Sequence, residues 1–222
     1  MDDFLWPSDA KAARQIQERL RERIVIGPPD GVPSLIAGVD AAFEGRQVFA
    51  VACLYRFSPL TPVEDAHAIA TVSFPYVPGY LSFREGPAIV EAIRNLSERP
   101  DIILLDGQGI AHPRGIGLAS HIGVVLDIPS IGCAKSRLVG EYREPGAARG
   151  SWSPLVHEDR AVGVVLRTKD GVRPLFISPG HRIDPGSAVS VVLSCCGRYR
   201  NPEPLRRADR LSKWLKKNAC HE

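Results

Sequence analysis

The first third of the chain changes from a helical to a strand-like arrangement of apolar positions. Ser8 and Asp9 can cap a helix over residues 8–22, where apolar residues recur at helical spacing until the link GPPDGVP. Apolar or alternating runs follow, and each is bounded by residues that favour turns. These runs predict an antiparallel meander of three strands at residues 35–43, 48–57 and 63–73.

After residue 80, the pattern becomes one in which helices and short buried strands alternate. The spacing of apolar positions predicts helices over about residues 87–97 and over residues 118–126. The wholly apolar runs at residues 102–105 and 130–133 are typical of strands that are covered on both faces. A strand–helix–strand order of this kind predicts right-handed parallel crossovers.

The remainder of the chain predicts a loop, a hairpin and two further helices. We expect the loop at residues 140–154, the hairpin at residues 161–167 and 174–178, and the helices at about residues 185–196 and 203–219. A meander followed by parallel β-α-β units and flanked by helices is the layout of an α/β, RNase H-like mixed sheet. No internal repeat or domain-sized linker interrupts residues 1–222, so we expect a single domain.

Composition places the chain among ordinary globular proteins. Of the 222 residues, 44% are hydrophobic and 24% are charged, and no apolar run approaches the ~20 residues that a membrane helix needs. The opening segment MDDFLWPSD is acidic and polar, so we expect no secretory signal and a cytoplasmic protein. The five cysteines have neither the spacing of a zinc site nor that of a disulfide framework, which favours inert thiols.

Positive charge is concentrated near the carboxyl terminus, although the formal net charge is only +3. Residues 198–217 contain eight lysines or arginines, against the two acids Glu203 and Asp209. Such a segment can contact phosphates, because polyanion binding is largely electrostatic, or it can be the solvated face of a helix. The sequence leaves both alternatives open.

Three acidic residues occupy informative positions among these elements. Asp40 interrupts the apolar run LIAGVDAAF, Asp106 follows IILL immediately before GQG, and Glu85 lies in LSFREGP ahead of a predicted helix. In the predicted topology, the strands that lead to Asp40 and Asp106 are parallel neighbours. Their carboxylates can then face each other across one strand spacing of ~4.8 Å.

A divalent cation is one explanation for carboxylates in such places. A carboxylate on a buried strand is costly unless its charge is offset, and Mg²⁺ prefers oxygen ligands. A cation there can activate a water and steady the oxyanions of phosphodiester cleavage, with Glu85 completing the ligand set or positioning the water. Structural alternatives remain open: Asp40 can accept backbone hydrogen bonds, Asp106 can open a turn, and Glu85 can favour a helix amino terminus.

Four blocks of sequence resemble the endonuclease V family. They are FPYVPGYLSFRE at residues 74–85, LDGQGIAHPRGIGLASHIGVVLDIPSIGCAKSRL at residues 105–138, LFISPGHRI at residues 175–183 and the weaker EPLRRAD at residues 203–209. The similarity extends in order from about residue 35 to residue 209. The resemblance implies that the metal, expected to be Mg²⁺ with Mn²⁺ able to substitute, is bound by Asp40, Glu85 and Asp106.

The resemblance also implies roles for three basic residues. His181 in SPGHR matches a histidine that supports catalysis or the metal site, although a turn histidine with backbone partners is otherwise the simpler interpretation. Lys135 in CAKSR matches a lysine near the scissile phosphate, where a point charge can stabilise the developing oxyanion. His112 in AHPRG lies in the same active region and is implied in a weaker supporting role.

The loop PYVPG is similar to the segment with which the family separates nucleic-acid strands. Tyr76 is its aromatic residue, Pro75 and Pro78 stiffen it, and Val77 stands in place of the family's usual isoleucine. A rigid aromatic ring can fill the space that an extruded base leaves. Without the resemblance, an aromatic ring packed over a proline turn is the simpler interpretation of Tyr76.

A pocket for hypoxanthine is the last feature that the resemblance implies. Its expected members are Gly79, Leu81, Gly107, Gly109, Leu118 and Leu138. Glycines suit such a pocket because backbone N–H and C=O groups can then approach the edge of a base. Gln108 departs from the histidine that many members carry, so a contact from that side chain does not carry over.

The resemblance therefore implies a DNA repair endonuclease of the deoxyribonuclease V type. We expect it to recognise deoxyinosine and to hydrolyse the second phosphodiester bond 3′ to the lesion, leaving 3′-hydroxyl and 5′-phosphate ends. Two alternatives stay open: an endoribonuclease specific for inosine in RNA, since 2′-hydroxyl contacts leave no motif, and a noncatalytic inosine-binding protein. A monomer is the expected state.

Overall fold

A computed structural model describes residues 6–219, which form one mixed sheet with helices on both faces. The helices are α1 (Ala10–Arg21), α2 (Leu81–Arg94), α3 (Leu118–Leu126), α4 (Pro185–Cys195) and α5 (Glu203–Ala219). The strands are β1 (Leu35–Glu44), β2 (Gln47–Arg56), β3 (Thr61–Thr71), β4 (Ile102–Leu105), β5 (Ser130–Ala134), β6 (Trp152–His157), β7 (Arg160–Leu166) and β8 (Leu175–His181). Residues 1–5, in the polar opening segment, and residues 220–222, which include Cys220, lie outside the described part.

The sheet joins an antiparallel meander to two parallel strands and then to a second antiparallel group. Its strand order is β3-β2-β1-β4-β5-β8-β7-β6. Strand β1 pairs antiparallel with β2 and parallel with β4, β4 pairs parallel with β5, and β8 returns antiparallel to β5. The chain therefore has the RNase H-like α/β arrangement expected from the sequence, and the predicted meander, parallel crossovers and β7–β8 hairpin are confirmed.

Each face of the sheet carries its own hydrophobic core. Val39 and Leu105 pack in a core with α2 and α3, whereas Leu104 belongs to a core with α4 and α5. Val39 and Leu105 are also register partners of the parallel β1–β4 pair. Because side chains alternate along a strand, Asp40 and Asp106, one residue further on, fall together on the face of α4 and α5.

Helix α2 continues through Pro87, where the sequence had predicted its start. A proline inside a helix has no N–H to donate, which normally favours a boundary at that point. Here the preceding turn is held by packing, since Phe83 stacks on Phe74 with ring centroids 5.4 Å apart and both rings are buried. Glu85 consequently lies within the helix and is buried, rather than standing ahead of it.

Strand β6 occupies part of the segment at residues 140–154 that was expected to be a loop. The strand lies at the edge of the sheet, where Pro154 is tolerated because an edge strand does not need every backbone donor. Exposed and buried positions alternate along its first five residues. The glycines, prolines and charges before it concealed this alternation in the sequence.

Two expectations drawn from composition can be compared with the described residues. Cys53, Cys133, Cys195 and Cys196 are free and buried, as expected for inert thiols. None of the helices within residues 6–219 is long and apolar enough to cross a membrane.

Candidate active site

Three aspartates meet at the end of β1 and β4, beneath helix α5. Asp40 and Asp106 come from the two parallel strands, and Asp209 comes from α5. One carboxylate oxygen of each lies within 4.8 Å of the corresponding oxygens of the other two, so that the three oxygens could share an ion. The parallel register predicted for Asp40 and Asp106 is therefore confirmed, and the helix adds a third carboxylate.

Helix α5 can deliver Asp209 because it approaches β1 at backbone distance. A Cβ atom added to Gly38 would lie 2.2 Å from the carbonyl carbon of Pro204, so only glycine allows this contact. Ser212, one turn beyond Asp209, donates a hydrogen bond of 2.9 Å to the Asp40 carboxylate. No role is expected for Asp209 from the sequence, although the EPLRRAD block contains it, because it stands within a basic helix.

The buried position of Asp40 makes its charge costly. Burial raises the pKa of Asp40 to about 6, although the hydrogen bond from Ser212 acts in the opposite direction. The neighbouring charges of Asp106 and Asp209 raise this pKa further, and that of Lys135 lowers it. The cluster therefore holds more negative charge than its protein surroundings neutralise.

Lys135 lies beside the aspartates, as the sequence predicted. Its Nζ donates a hydrogen bond to Asp106 and lies 4.0 Å from an Asp209 carboxylate oxygen. Burial acts to lower the pKa of Lys135, but the hydrogen bond to Asp106 and the surrounding acids bring it above its ordinary value. Lys135 is therefore a protonated point charge at the edge of the cluster.

Glu85 approaches the cluster from helix α2 and the opposite core. Burial is the largest cause that raises its pKa, to about 8, and the charges of Asp40 and Asp106 add to the effect. Glu85 is not part of the close triad, since the carboxylates that satisfy the mutual distance in the described chain are those of Asp40, Asp106 and Asp209. Its electrostatic coupling to two of them nevertheless assigns it to the same site.

This donor set fits a hard divalent cation. Three carboxylates offer oxygen ligands, which Mg²⁺ and similar ions prefer. The raised pKa values of Asp40 and Glu85 indicate negative charge that a cation would stabilise. Lys135 and Lys213, which contact Asp106 and Asp209, do not offset four acids, so the residues present favour a cation at this end of the sheet.

A cavity of about 500 Å³ opens next to the aspartates. Asp106 and the neighbouring Lys135 both line it. Nine of the residues predicted for lesion binding line it: Tyr76, Val77, Pro78, Gly79, Leu81, Gly107, His112, Leu118 and Leu138. Tyr76 stands at the mouth with 77% of its surface exposed, and the Arg84 guanidinium lies 5.7 Å from its ring centroid. An exposed aromatic ring thus borders a partly apolar cavity that leads to the acidic cluster.

Comparison with known proteins identifies this combination. Residues 18–210 match the model of the family described as Endonuclease V. The chain belongs to the endonuclease V family. Membership makes it a nuclease, and the family supports action on inosine-containing nucleic acid.

Its relatives in the endonuclease V family cover nearly the whole chain. An Endonuclease V from Geotalea uraniireducens is 52% identical over 209 residues, which are 94% of this chain and 89% of that protein. The crystal structure of the Endonuclease V from Streptomyces avermitilis superposes with a TM-score of 0.93 at 42% identity, over 97% of this chain and 96% of that one. Endonuclease V of Ciona intestinalis, solved with a 24mer DNA containing an inosine followed by a ribo-adenosine, has the same fold at a TM-score of 0.83 and 24% identity, over 94% of this chain and 98% of that one.

The structure does not bring His181 to the acidic cluster. His181 pairs with Ser130, the first residue of β5, so it lies at the opposite end of the sheet from Asp106. Its Nδ1 accepts the N–H of Val25 at 3.3 Å, and its Nε2 lies 3.2 Å from a carboxylate oxygen of Asp127. These contacts correct the catalytic or metal-supporting role expected for His181 and indicate a structural one.

The placement of Gly109 corrects its expected role in the pocket, whereas Pro75 was expected only to stiffen the loop. Neither residue lines the cavity. A Cβ atom at Gly109 would lie 2.0 Å from the carbonyl oxygen of Pro179, so this glycine is required by packing against β8. Pro75 is exposed on the loop that carries Tyr76, where it limits the loop's freedom without touching the pocket.

His112 and Gln108 form buried parts of the cavity wall. Burial lowers the pKa of His112 to about 4, so the imidazole is neutral near pH 7, and its Nδ1 accepts the N–H of Arg114 at 3.2 Å. Gln108 donates from Nε2 to the carbonyl of Ser136 at 3.1 Å. Both side chains form part of the wall, and Gln108 does so at the position where the resemblance leads one to expect a histidine.

Proposed function

We propose that this nuclease hydrolyses DNA at the second phosphodiester bond 3′ to deoxyinosine, with Mg²⁺ as cofactor and Mn²⁺ as a substitute. The single observation that carries the proposal is that the cavity and the acidic cluster share residues. A cavity large enough for a purine shares Asp106 and Lys135 with a triad of aspartates suited to a cation. Lesion recognition and phosphodiester hydrolysis would therefore occur side by side.

The aspartates and their neighbours would divide the chemistry as follows. Asp40, Asp106 and Asp209 would hold Mg²⁺, which supplies activation of a water and stabilisation of phosphate oxyanions when it is bound. Glu85, whose pKa of about 8 leaves it able to take up or release a proton near neutral pH, would orient the attacking water. Lys135 would stabilise charge that develops on the phosphate, because it lines the cavity and also contacts Asp106.

The cavity supports recognition of hypoxanthine by backbone groups. Gly79 and Gly107 line it, and their lack of side chains lets backbone groups other than the bonded carbonyl of Gly79 approach a base edge. Hypoxanthine carries a carbonyl and a ring N–H where adenine carries an amino group and an unprotonated nitrogen. A pocket that matches the first pattern leaves a buried polar group unpaired with the second, which costs affinity. Tyr76 would fill the space of the extruded base.

A nicking assay on an end-labelled duplex with one inosine tests this function. We expect a single nick with Mg²⁺ or Mn²⁺ at the second bond 3′ to the inosine, and none with a chelator or with adenosine in place of inosine. A matched RNA strand in parallel separates deoxyribonuclease from ribonuclease activity. Lesion binding without cutting in any metal would favour a noncatalytic binding protein and overturn the proposal.

A further inference from the structure

The carbonyl of Gly79, at the end of the tyrosine loop (residues 74–80), is held by two side chains from distant parts of the chain. Gln17 Nε2 donates to it at 3.1 Å from helix α1, and Arg114 Nη2 donates to it at 2.5 Å. Arg114 Nε also donates to Gln17 Oε1 at 2.5 Å. The three groups therefore form a closed ring of hydrogen bonds, here called the Gly79 clamp.

The Gly79 clamp places a polar side chain, Gln17, in the protein interior, where burial costs free energy unless hydrogen bonds form. Gln17 is 1% exposed and lies among the apolar residues Ala13, Ile16 and Leu20 on the packed face of α1. A leucine would fill this position without any need for partners, whereas a buried amide must find hydrogen bonds. Gln17 donates to the carbonyl of Gly79 and accepts from Arg114, so its polar group holds the loop rather than the helix.

The backbone at Gly79 leaves the space that the Arg114 guanidinium occupies, and the loop is anchored at both ends. Gly79 has φ +81°, and a Cβ atom there would lie 2.5 Å from Arg114 Nη2, so the guanidinium occupies the space that a side chain would take. The same guanidinium lies 4.1 Å from the ring centroid of Tyr80. At the other end of the loop, Arg84 donates to the carbonyl of Phe74 at 3.1 Å. Both ends are anchored, and Tyr76 between them is exposed.

We propose that Gln17 and Arg114 are positioning residues that hold the tyrosine loop ready to enter a duplex beside the lesion. The inference rests on the proposed function, because it assumes that Tyr76 replaces an extruded base. A loop that is already ordered loses less conformational entropy on binding, and that saving appears as affinity. Gln17 lies just before residues 18–210, which match the family model, so helix α1 contributes a residue beyond the matched region.

The test compares Gln17→Leu with Gln15→Leu on two inosine substrates, a duplex and a single strand. Gln15 is exposed on the same helix, so its variant is a matched control for helix propensity. Single-turnover nicking at increasing enzyme concentration gives a half-saturating concentration and a maximal rate for each substrate. For Gln17→Leu, which removes both hydrogen bonds of Gln17, we expect the half-saturating concentration on the duplex to rise about tenfold or more. On the single strand, where no base pair must open, it should rise less than about twofold.

A second variant separates the clamp from simple packing. Gln17→Glu keeps an acceptor for Arg114 but removes the donor to Gly79, so its duplex defect should fall between wild type and Gln17→Leu. Equal losses on duplex and single strand, or a duplex value within about twofold of the Gln15→Leu control, would overturn the inference while leaving the nuclease function intact. Failure of the wild type to nick either inosine substrate would overturn the proposed function as well.

Discussion

The two ends of the sheet both carry carboxylates, which are buried or half-buried at one end and exposed, with hydrogen-bond partners from the protein, at the other. At the end formed by the last residues of β1 and β4, the pKa of Asp40 is raised to about 6 and that of Glu85 to about 8. At the other end, hydrogen bonds from Arg182 and then from His181 lower the pKa of Asp127. Asp101 there accepts the backbone N–H groups of two successive residues at 2.8 and 2.9 Å.

The difference teaches how to separate chemistry from structure among acidic residues. An acid whose charge is satisfied by protein groups stabilises the fold and needs nothing more. An acid whose charge is left costly, next to others like it and beside a cavity, is better explained by a ligand that arrives later. In this molecule, the first description fits Asp127 and the second fits Asp40 and its neighbours.

The largest expected effect separates the two ends directly. Asp40→Asn and Asp106→Asn should lower the rate of inosine nicking by about 1000-fold or more, because each removes a cation ligand. Asp127→Asn is the matched control at the other end, since asparagine tolerates the positive φ of 51° found there. Initial rates on an inosine duplex, with circular dichroism to confirm folding, measure the effect. Rapid nicking by either cluster variant would contradict the assignment of the two ends.

A smaller loss is expected when the lysine at the cluster is neutralised. Lys135→Met should lower the maximal nicking rate by about 100-fold, because it removes the point charge at the cavity edge. Lys213 is the control: it contacts Asp209 at 2.7 Å from the exposed side of α5 but does not line the cavity. Lys213→Met should stay within about threefold of wild type. Equal losses in the two variants would show that positive charge near Asp209 matters, and that a place at the cavity edge does not.

The raised pKa values also predict how the metal-free protein responds to pH. Between pH 4.5 and about 8, the folded state retains a proton on Glu85 that the unfolded state has released, and Asp40 does the same between 3.8 and about 6. These two acids therefore lower the free energy of unfolding as pH rises, whereas the lowered pKa values of His112 and His121 act in the opposite direction below pH 6.5. Between pH 6.5 and about 8 the Glu85 contribution remains, and we expect a loss on the order of 2 kcal/mol, or about 4–8 °C in Tm.

Thermal melts with and without Mg²⁺ measure this dependence. Added Mg²⁺ above about pH 8 should restore stability, because binding to the folded state alone raises it. Glu85→Gln should flatten the upper part of the pH profile in the absence of metal, whereas Asp127→Asn should leave its slope unchanged. A metal-free protein that becomes more stable from about pH 7 to pH 8 would contradict the idea of uncompensated charge.

Local patterns in the sequence predicted what depends on periodicity. The two-residue repeat of β1 and β4 placed Asp40 and Asp106 on one face, and their parallel register followed from the strand–helix–strand order. Asp209 could not be assigned in this way, since nothing local distinguishes an aspartate in a basic helix whose role depends on packing over Gly38. His181 illustrates the opposite error, because a matching residue type gives no information about which end of a strand it occupies.

The smallest effect concerns the residue whose expected role was corrected. His181→Asn should leave nicking within about twofold of wild type, because the imidazole contacts Val25 and Asp127 rather than the acidic cluster. It should lower Tm by about 2–4 °C, the equivalent of roughly 1 kcal/mol for one lost buried hydrogen bond in a chain of this size. Nicking at a temperature well below both transitions separates the two effects. A tenfold loss of nicking at that temperature, in folded protein, would mean that the two ends of the sheet are coupled. The acids that protein groups stabilise and the acids that need a cation could then no longer be assigned to separate ends.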